Sequence, residues 1–263
     1  EDSREDWANL SWSAESCLTV GGGIGAPYSL YRGKGSVLHG TGGIASGPIS
    51  KMKIINEIGR EVMQGGSRRS AIWAGLHHWH SDIQDFLHAK DWFNQRVIGT
   101  DKSIGDLKTY DFNYPAPLDM TNISVLYDTN WLLKYWQTGN LGNVFLENCK
   151  QAMKTGEPGF AFNFFDQEKE TLRNACTEVV SEDGNDVCNL GSLNFSRITS
   201  LKELCDVVEL ATKFLICGTL RAELPYEKVY EVRAKNRRLG LGIMGLHEFL
   251  IQRGYKYEVS DEL

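Results

Sequence analysis

RNACTEVVSEDGNDVCNLGSLN, residues 173–194, places an amide, a thiol and a carboxylate at alternate positions: Asn174, Cys176 and Glu178. In extended backbone, alternate side chains share one face, so these three groups are expected to meet one small molecule. A thiol supports nucleophilic or one-electron chemistry, a carboxylate takes a proton, and an amide orients a hydroxyl. A second thiol, Cys188, follows twelve positions later and opens the apolar run CNLGSLN. The bland alternative is a surface turn that happens to carry a cysteine.

Moving outward, the chain has 263 residues, 41% hydrophobic, enough for a substantial core. Its net charge of −6 gives no electrostatic ground for nucleic-acid or anionic-membrane binding. No apolar run approaches the ~20 residues of a membrane span. The acidic start, EDSREDWANL, has no initiating Met and is unlike a signal peptide, so a soluble, cytoplasmic protein is expected. Six cysteines are too sparse for a disulfide-framed scaffold, and there is no CxxC pair to hold a structural zinc. Cys17, Cys149, Cys205 and Cys217 sit in helix-like apolar patterns, where buried packing is expected.

Helical spacing runs over 4–20, with Trp7, Leu10, Ala14 and Cys17 on one face, and stops at GGGIG, 21–25. A second glycine-rich stretch, GTGGIASGP (40–48), precedes a helix ended by Gly65 and Gly66. SAIWAGLHHW (70–79) predicts a buried strand, and SDIQDFLHAK a helix capped by Ser81 or Asp82. NISVLYD (122–128), GFAFNFF and VCNLGSLNF predict further strands, with helices over about 130–155 and 201–220. This alternation favours an α/β fold with mainly parallel strands. Residues 91–121 are loop-like and resist assignment.

Three other motifs have plain explanations. RRLGLGIMG holds Gly240, Gly242 and Gly245 as a formal GxGxxG, but its lead-in EVRAKNRR is too charged for the buried strand that a dinucleotide fingerprint needs. Close glycine packing is the better reading there. LHHWHSD offers His77, His78 and His80; in a strand His78 and His80 would share a face, with Asp82 a possible third group. A hydrogen-bonded structural role is preferred, and no metal is assigned. GGGIG and GTGGIASG could cradle a phosphate through backbone N–H groups, which glycine-rich loops alone support only weakly.

NxCxE followed by CNLGSLN resembles the active-site segment of the ribonucleotide reductase large (catalytic) subunit. Further landmarks follow the family's order over roughly residues 20–250: GGGIG, SLYRGKGS, GTGGIASGP, QGGSRRSAIWAGLHHWHSDIQDFL, NISV, GEPGF, NACTE, CNLGSLN and RRLGLGIMG. The resemblance implies a ten-stranded α/β barrel with a central finger loop, here a single barrel domain over 1–263, cut at both ends. It implies that Cys176 is the thiyl-radical cysteine that removes the 3′ hydrogen of a ribonucleotide. Glu178 would take the 3′-hydroxyl proton and Asn174 would bind the ribose hydroxyls, with Ala175 and Thr177 completing the substrate-binding segment. Gly23 would bring its backbone against the nucleotide, and Cys188 matches one of the two thiols that end as a disulfide. Such a radical thiol is expected to be shielded inside the barrel.

The resemblance also implies elements outside this chain: the second redox cysteine, the serine-rich phosphate loop and the C-terminal cysteine pair. An internal piece of a longer protein, inactive alone, is therefore expected. Position 175 is Ala where relatives often carry Pro or Leu, and 177 is Thr where Gly is common. The spacing from GEPGF to NACTE, and from Cys176 to Cys188, is closer to adenosylcobalamin-dependent class II enzymes. NACTE also resembles class I, whose radical comes from a metal-bearing small subunit. Implied partners are a di- or triphosphate ribonucleotide, nucleotide effectors, a thioredoxin-like or glutaredoxin-like reductant and a second copy in a homodimer. The competing readings are a noncatalytic nucleotide-binding relative and, further off, a metal-dependent thiol enzyme using His78, His80 and Cys176.

Overall fold

The computed structural model describes residues 2–40, 42–62 and 69–258. They group into two compact units, 1–184 and 185–263.

The first unit begins with α1 (Arg4–Thr19), where Ser3 Oγ accepts the Asp6 N–H at 3.0 Å and so caps the helix. Trp7 and Leu10 pack onto the core as their spacing predicts, but the face is completed by Ala14 and Leu18, and Cys17 is only half-buried. β1 (Ile24–Pro27) follows, then the small antiparallel ribbon of β2 (Val37–Leu38) and β3 (Gly43–Ile44). α2 (Pro48–Glu61) starts with Pro at its first turn, where a missing N–H costs nothing. The predicted stop at Gly65 and Gly66 lies outside the described residues.

β4 (Ile72–His77), β5 (Thr121–Tyr127) and β6 (Gly159–Phe162) complete an all-parallel sheet of order β1-β4-β5-β6. β4 and β5 are nearly continuous buried runs because helices cover parallel strands on both faces. Their side chains Ala74, Leu76, Ile123, Val125 and Tyr127 join Met52 and Phe86 in the main core. Between β4 and β5 lie α3 (Ile83–Leu87) and α4 (Ile104–Tyr110). Asp82 precedes α3, yet its carboxylate accepts the Lys34 N–H (3.0 and 3.1 Å) and makes no cap bond to the helix. It closes the SLYRGKGS loop instead. The unassigned 91–121 segment contains a capping box, in which Ser103 and Asp106 satisfy each other's backbone N–H. Its end is fixed by Asp119, which pairs with Arg60 at 2.6 Å and Lys108 at 3.3 Å.

The single helix expected over 130–155 is two: α5 (Thr129–Thr138) and α6 (Asn143–Thr155). Gly139 ends α5 in the left-handed conformation (φ 68°), a C-terminal stop that glycine makes without steric cost. After β6, β7 (Leu172–Arg173) and β8 (Val180–Ser181) form an antiparallel hairpin.

The second unit pairs β9 (Cys188–Asn194) in parallel with β10 (Arg238–Met244) over seven residues. Between them run α7 (Leu201–Arg221) and α8 (Glu227–Asn236), and α9 (Leu246–Gln252) follows. RRLGLGIMG is thus a strand, and the charged stretch before it belongs to α8. Close packing is its glycines' role: a Cβ at Gly240 would stand 2.5 Å from the Leu190 side chain. Buried packing of the other cysteines is not what the helices provide. Cys205 and Cys217 are exposed because α7 is apolar over much of its circumference and buries only Leu215 and Thr219, and Cys149 on α6 is half-buried.

The α/β class and the parallel strand pairing agree with the sequence. Among the described residues the strands form four separate sheets, and no strand pairing closes a barrel. No described helix is long and apolar enough to cross a membrane.

Candidate active-site hairpin

Residues 174–179 join β7 to β8 and are not extended. The Thr177 N–H reaches the Asn174 carbonyl at 3.1 Å, closing a tight turn with Cys176 near its tip. Thr177 follows with φ 71°, the left-handed region that a hairpin loop demands after such a turn. Alternation therefore does not place the three groups on one face. A side-chain bond does part of that work: Asn174 Nδ2 donates to Glu178 Oε1 at 2.7 Å. The same amide's Oδ1 accepts the Val179 N–H at 3.2 Å, which fixes the orientation of the amide. Cys176 and Glu178 are exposed, Asn174 is half-buried and Ala175 is buried. The expected shielding of Cys176 is thus not supplied by the residues of this unit.

The hairpin is anchored by residues that the spacing of Asn174, Cys176 and Glu178 does not reveal. Asn122, at the start of β5, donates from Nδ2 to the Ala175 carbonyl at 2.7 Å. Arg173 reaches the Thr177 carbonyl and the Phe162 carbonyl, both at 3.4 Å, and holds Asn163 Oδ1 through a short bond. Burial pushes the Arg173 guanidinium down from its ordinary value, against the pull of Glu170, yet an arginine stays cationic at neutral pH. Gly25 of β1 lies against the hairpin so closely that a Cβ there would sit 1.7 Å from the Arg173 carbonyl oxygen. NISV carried the signal for Asn122, since a polar residue at a strand start needs a partner.

Gly23 sits just before β1, where a Cβ would meet the Ala71 carbonyl at 3.1 Å. Cys188, in the second unit, opens β9 opposite Arg238; it is half-buried, not in a disulfide, and its Sγ lies 3.6 Å from the Asn189 carbonyl.

The histidines are arranged differently from a strand pair. β4 ends at His77, and His80 turns into the protein. His80 Nδ1 accepts the Asp82 N–H at 3.0 Å, so its proton is on Nε2, which donates to the Tyr31 carbonyl at 2.8 Å. With both nitrogens engaged, His80 is structural. His77 and His78 instead face Asp128, immediately after β5. Burial pushes the His77 imidazole down to about 4, although Asp128 opposes this, so the ring is neutral at pH 7.

The first unit thus combines a parallel α/β sheet with one buttressed hairpin that carries a thiol, an amide and a carboxylate. The sequence profile described as "Ribonucleotide reductase, barrel domain" matches residues 1–105 and 122–262. This chain belongs to that family. The internal gap in the match, 106–121, falls in the segment that the sequence leaves unassigned.

The chain is 30% identical to a vitamin B12-dependent ribonucleoside-diphosphate reductase of Thermoplasma acidophilum, with 92% of this chain and 33% of that protein aligned. It is 24% identical to a ribonucleoside-diphosphate reductase large subunit of Plasmodium falciparum, with 90% and 34% aligned. The alpha subunit of the class Id ribonucleotide reductase of Actinobacillus ureae superposes with a TM-score of 0.71 at 18% identity, over 97% of this chain and 46% of that one. The chain spans about a third of the length of these curated relatives.

Proposed function

We propose that this chain is the catalytic barrel portion of a ribonucleotide reductase, which converts ribonucleotides to 2′-deoxyribonucleotides. The observation that carries this reading is the Asn174–Glu178 bond of 2.7 Å on the hairpin that presents Cys176. Cys176, as a thiyl radical, takes the 3′ hydrogen, and Glu178 accepts the 3′-hydroxyl proton while Asn174 orients the ribose hydroxyls. The 2′-hydroxyl leaves as water. Two thiols, one of them Cys188, supply two electrons and two protons and become a disulfide, the 3′ hydrogen returns from Cys176, and Glu178 gives the proton back to the 3′-hydroxyl. Gly23, Ala175 and Thr177 would present backbone to the nucleotide.

The vitamin B12-dependent names among the relatives support adenosylcobalamin as the radical source. That cofactor supplies the initiating radical when bound. This chain's part is to hold the Cys176 thiol at an exposed turn, within reach of a source outside the hairpin. The relatives named as large or alpha subunits favour the second reading, a radical delivered by a metal-bearing small subunit. Nucleotide effectors, a dithiol protein reductant and a homodimer belong to the same proposal.

The test is deoxyribonucleotide formation by the protein in its full reading frame, with dithiol and adenosylcobalamin alone. Product is expected, and Cys176→Ser, a change of one atom, should abolish it while nucleotide binding survives. Product that persists in Cys176→Ser overturns the assignment. Product only after adding a metal-loaded radical subunit selects the second reading, and none under either condition leaves a noncatalytic relative. Glu178→Gln should lower kcat by roughly 10²–10⁴-fold, the usual contribution of a positioned proton acceptor, with KM nearly unchanged.

A further inference from the structure

At the far end of β5 from Asn122, about 20 Å along the strand by its rise per residue, three metal-ligating side chains converge with no role in the hairpin chemistry. His77 is the last residue of β4, His78 follows it, and Asp128 follows β5. In parallel sheets this is the end where ligands are bound, because the loops leaving adjacent strands bring unlike side chains together. His78 Nε2 lies 3.3 Å from Asp128 Oδ1, and His77 Nδ1 lies 3.9 Å from Asp128 Oδ2. All three ligand atoms fall within 4.8 Å of one another. Donors at about 2.0–2.2 Å from a tetrahedral ion stand roughly 3.3–3.6 Å apart, so small side-chain rotations suffice.

A second observation is independent of that spacing. His77 Nδ1 is buried and makes no hydrogen bond, although buried polar atoms almost always find a partner. The rest of the cluster is held in place. The His77 ring stacks on Trp79 at 4.7 Å and the His78 ring on Tyr127 at 5.6 Å. Asp128 Oδ2 accepts the Trp79 indole N–H at 3.2 Å, and Oδ1 accepts the Trp131 N–H at 3.0 Å. Such outer contacts orient a ligating carboxylate. A cavity of about 420 Å³, lined in part by His78, Trp79, Asp128 and Trp131, opens beside the group.

We infer that His77 Nδ1, His78 Nε2 and one Asp128 carboxylate oxygen form a site for one zinc-class divalent transition-metal ion, with its fourth position open to water or a small anion from the cavity. Two imidazoles and one carboxylate are a borderline donor set that suits zinc or cobalt better than calcium or magnesium, which take oxygen ligands. The ion would displace the proton that His78 now shares with Asp128, give His77 Nδ1 its missing partner, and tie the ends of β4 and β5 together.

The test is titration of chelator-treated, purified protein with Zn²⁺ alone by calorimetry and with Co²⁺ alone by visible absorption. One ion per chain, a rise in Tm and an intense tetrahedral Co²⁺ band are expected. His77→Gln and His78→Gln should each weaken binding by at least about tenfold, the loss that removing even an outer contact produces. Cys176→Ser should leave the band unchanged. Failure to bind either ion overturns the inference. So does stoichiometric binding that both histidine variants retain, or a cobalt band that disappears with Cys176→Ser, since each would place the ion elsewhere.

Discussion

Thr177 occupies the left-handed region, where a β-branched side chain crowds its own backbone. Thr177→Gly should therefore stabilise the chain by about 1 kcal/mol, the strain relieved less the extra freedom of the unfolded glycine, as read from a urea midpoint. Gly25→Ala should do the reverse. Its methyl would collide with the Arg173 carbonyl, and overpacking of that kind costs about 1–3 kcal/mol while displacing the hairpin. At this scale the reacting groups could be named from the sequence, because thiol, amide and carboxylate announce their chemistry. Their geometry could not. Alternation assumes extended backbone, and the Asn174–Thr177 turn lacks the glycine that would have marked it. Asn122 acts through a bond to the Ala175 carbonyl far along the chain, and Arg173 ties the Thr177 carbonyl of its own hairpin to that of Phe162 at the end of β6, links that the spacing of the reacting groups does not encode.

Among the elements, the long apolar strands and the capped helices are written in the sequence, since burial on both faces and a Ser or Asp at a helix start leave direct traces. β10 is not, because EVRAKNRR reads as a poor strand approach while in fact most of it closes α8. The 91–121 segment is held by a polar anchor in place of a hydrophobic stripe. Asp119 receives Arg60 Nη2 at 2.6 Å, Lys108 Nζ at 3.3 Å and Asn56 Nδ2 at 3.3 Å. Asp119→Asn leaves Lys108 facing a neutral group and Arg60 with Glu57 as its remaining carboxylate, and should cost about 3 kcal/mol in a denaturant melt. Although burial alone would raise the Asp119 pKa, the bonds from Arg60 and Asn56 hold it below the usual carboxylate value. A depressed folded pKa means stability that is complete above the unfolded value of about 3.9 and is lost as pH falls through the folded one. The wild-type chain should thus weaken below about pH 4 more steeply than Asp119→Asn, in melts collected from pH 7 to pH 2.5.

For the whole molecule, the order of short landmarks was enough to establish the family and too little to choose its radical source. Closure of a barrel depends on strand pairing around a full ring, which no local spacing encodes, and the described strands pair in four separate sheets. α7 shows the same thing from another side. Leu210, Phe214 and Leu220 are largely exposed, so the isolated chain should bind a hydrophobic dye. Leu210→Lys with Phe214→Lys should reduce that fluorescence while the helix content by circular dichroism stays constant. Among the described residues, β4 and β5 each have a hydrogen-bonded strand on both sides, whereas β9 and β10 have only each other. In time, that difference becomes a clock. Dissolved in heavy water, the amides of β4 and β5 should keep their protons until the first unit unfolds, and those of β9 and β10 should trade theirs for deuterium through small local openings long before.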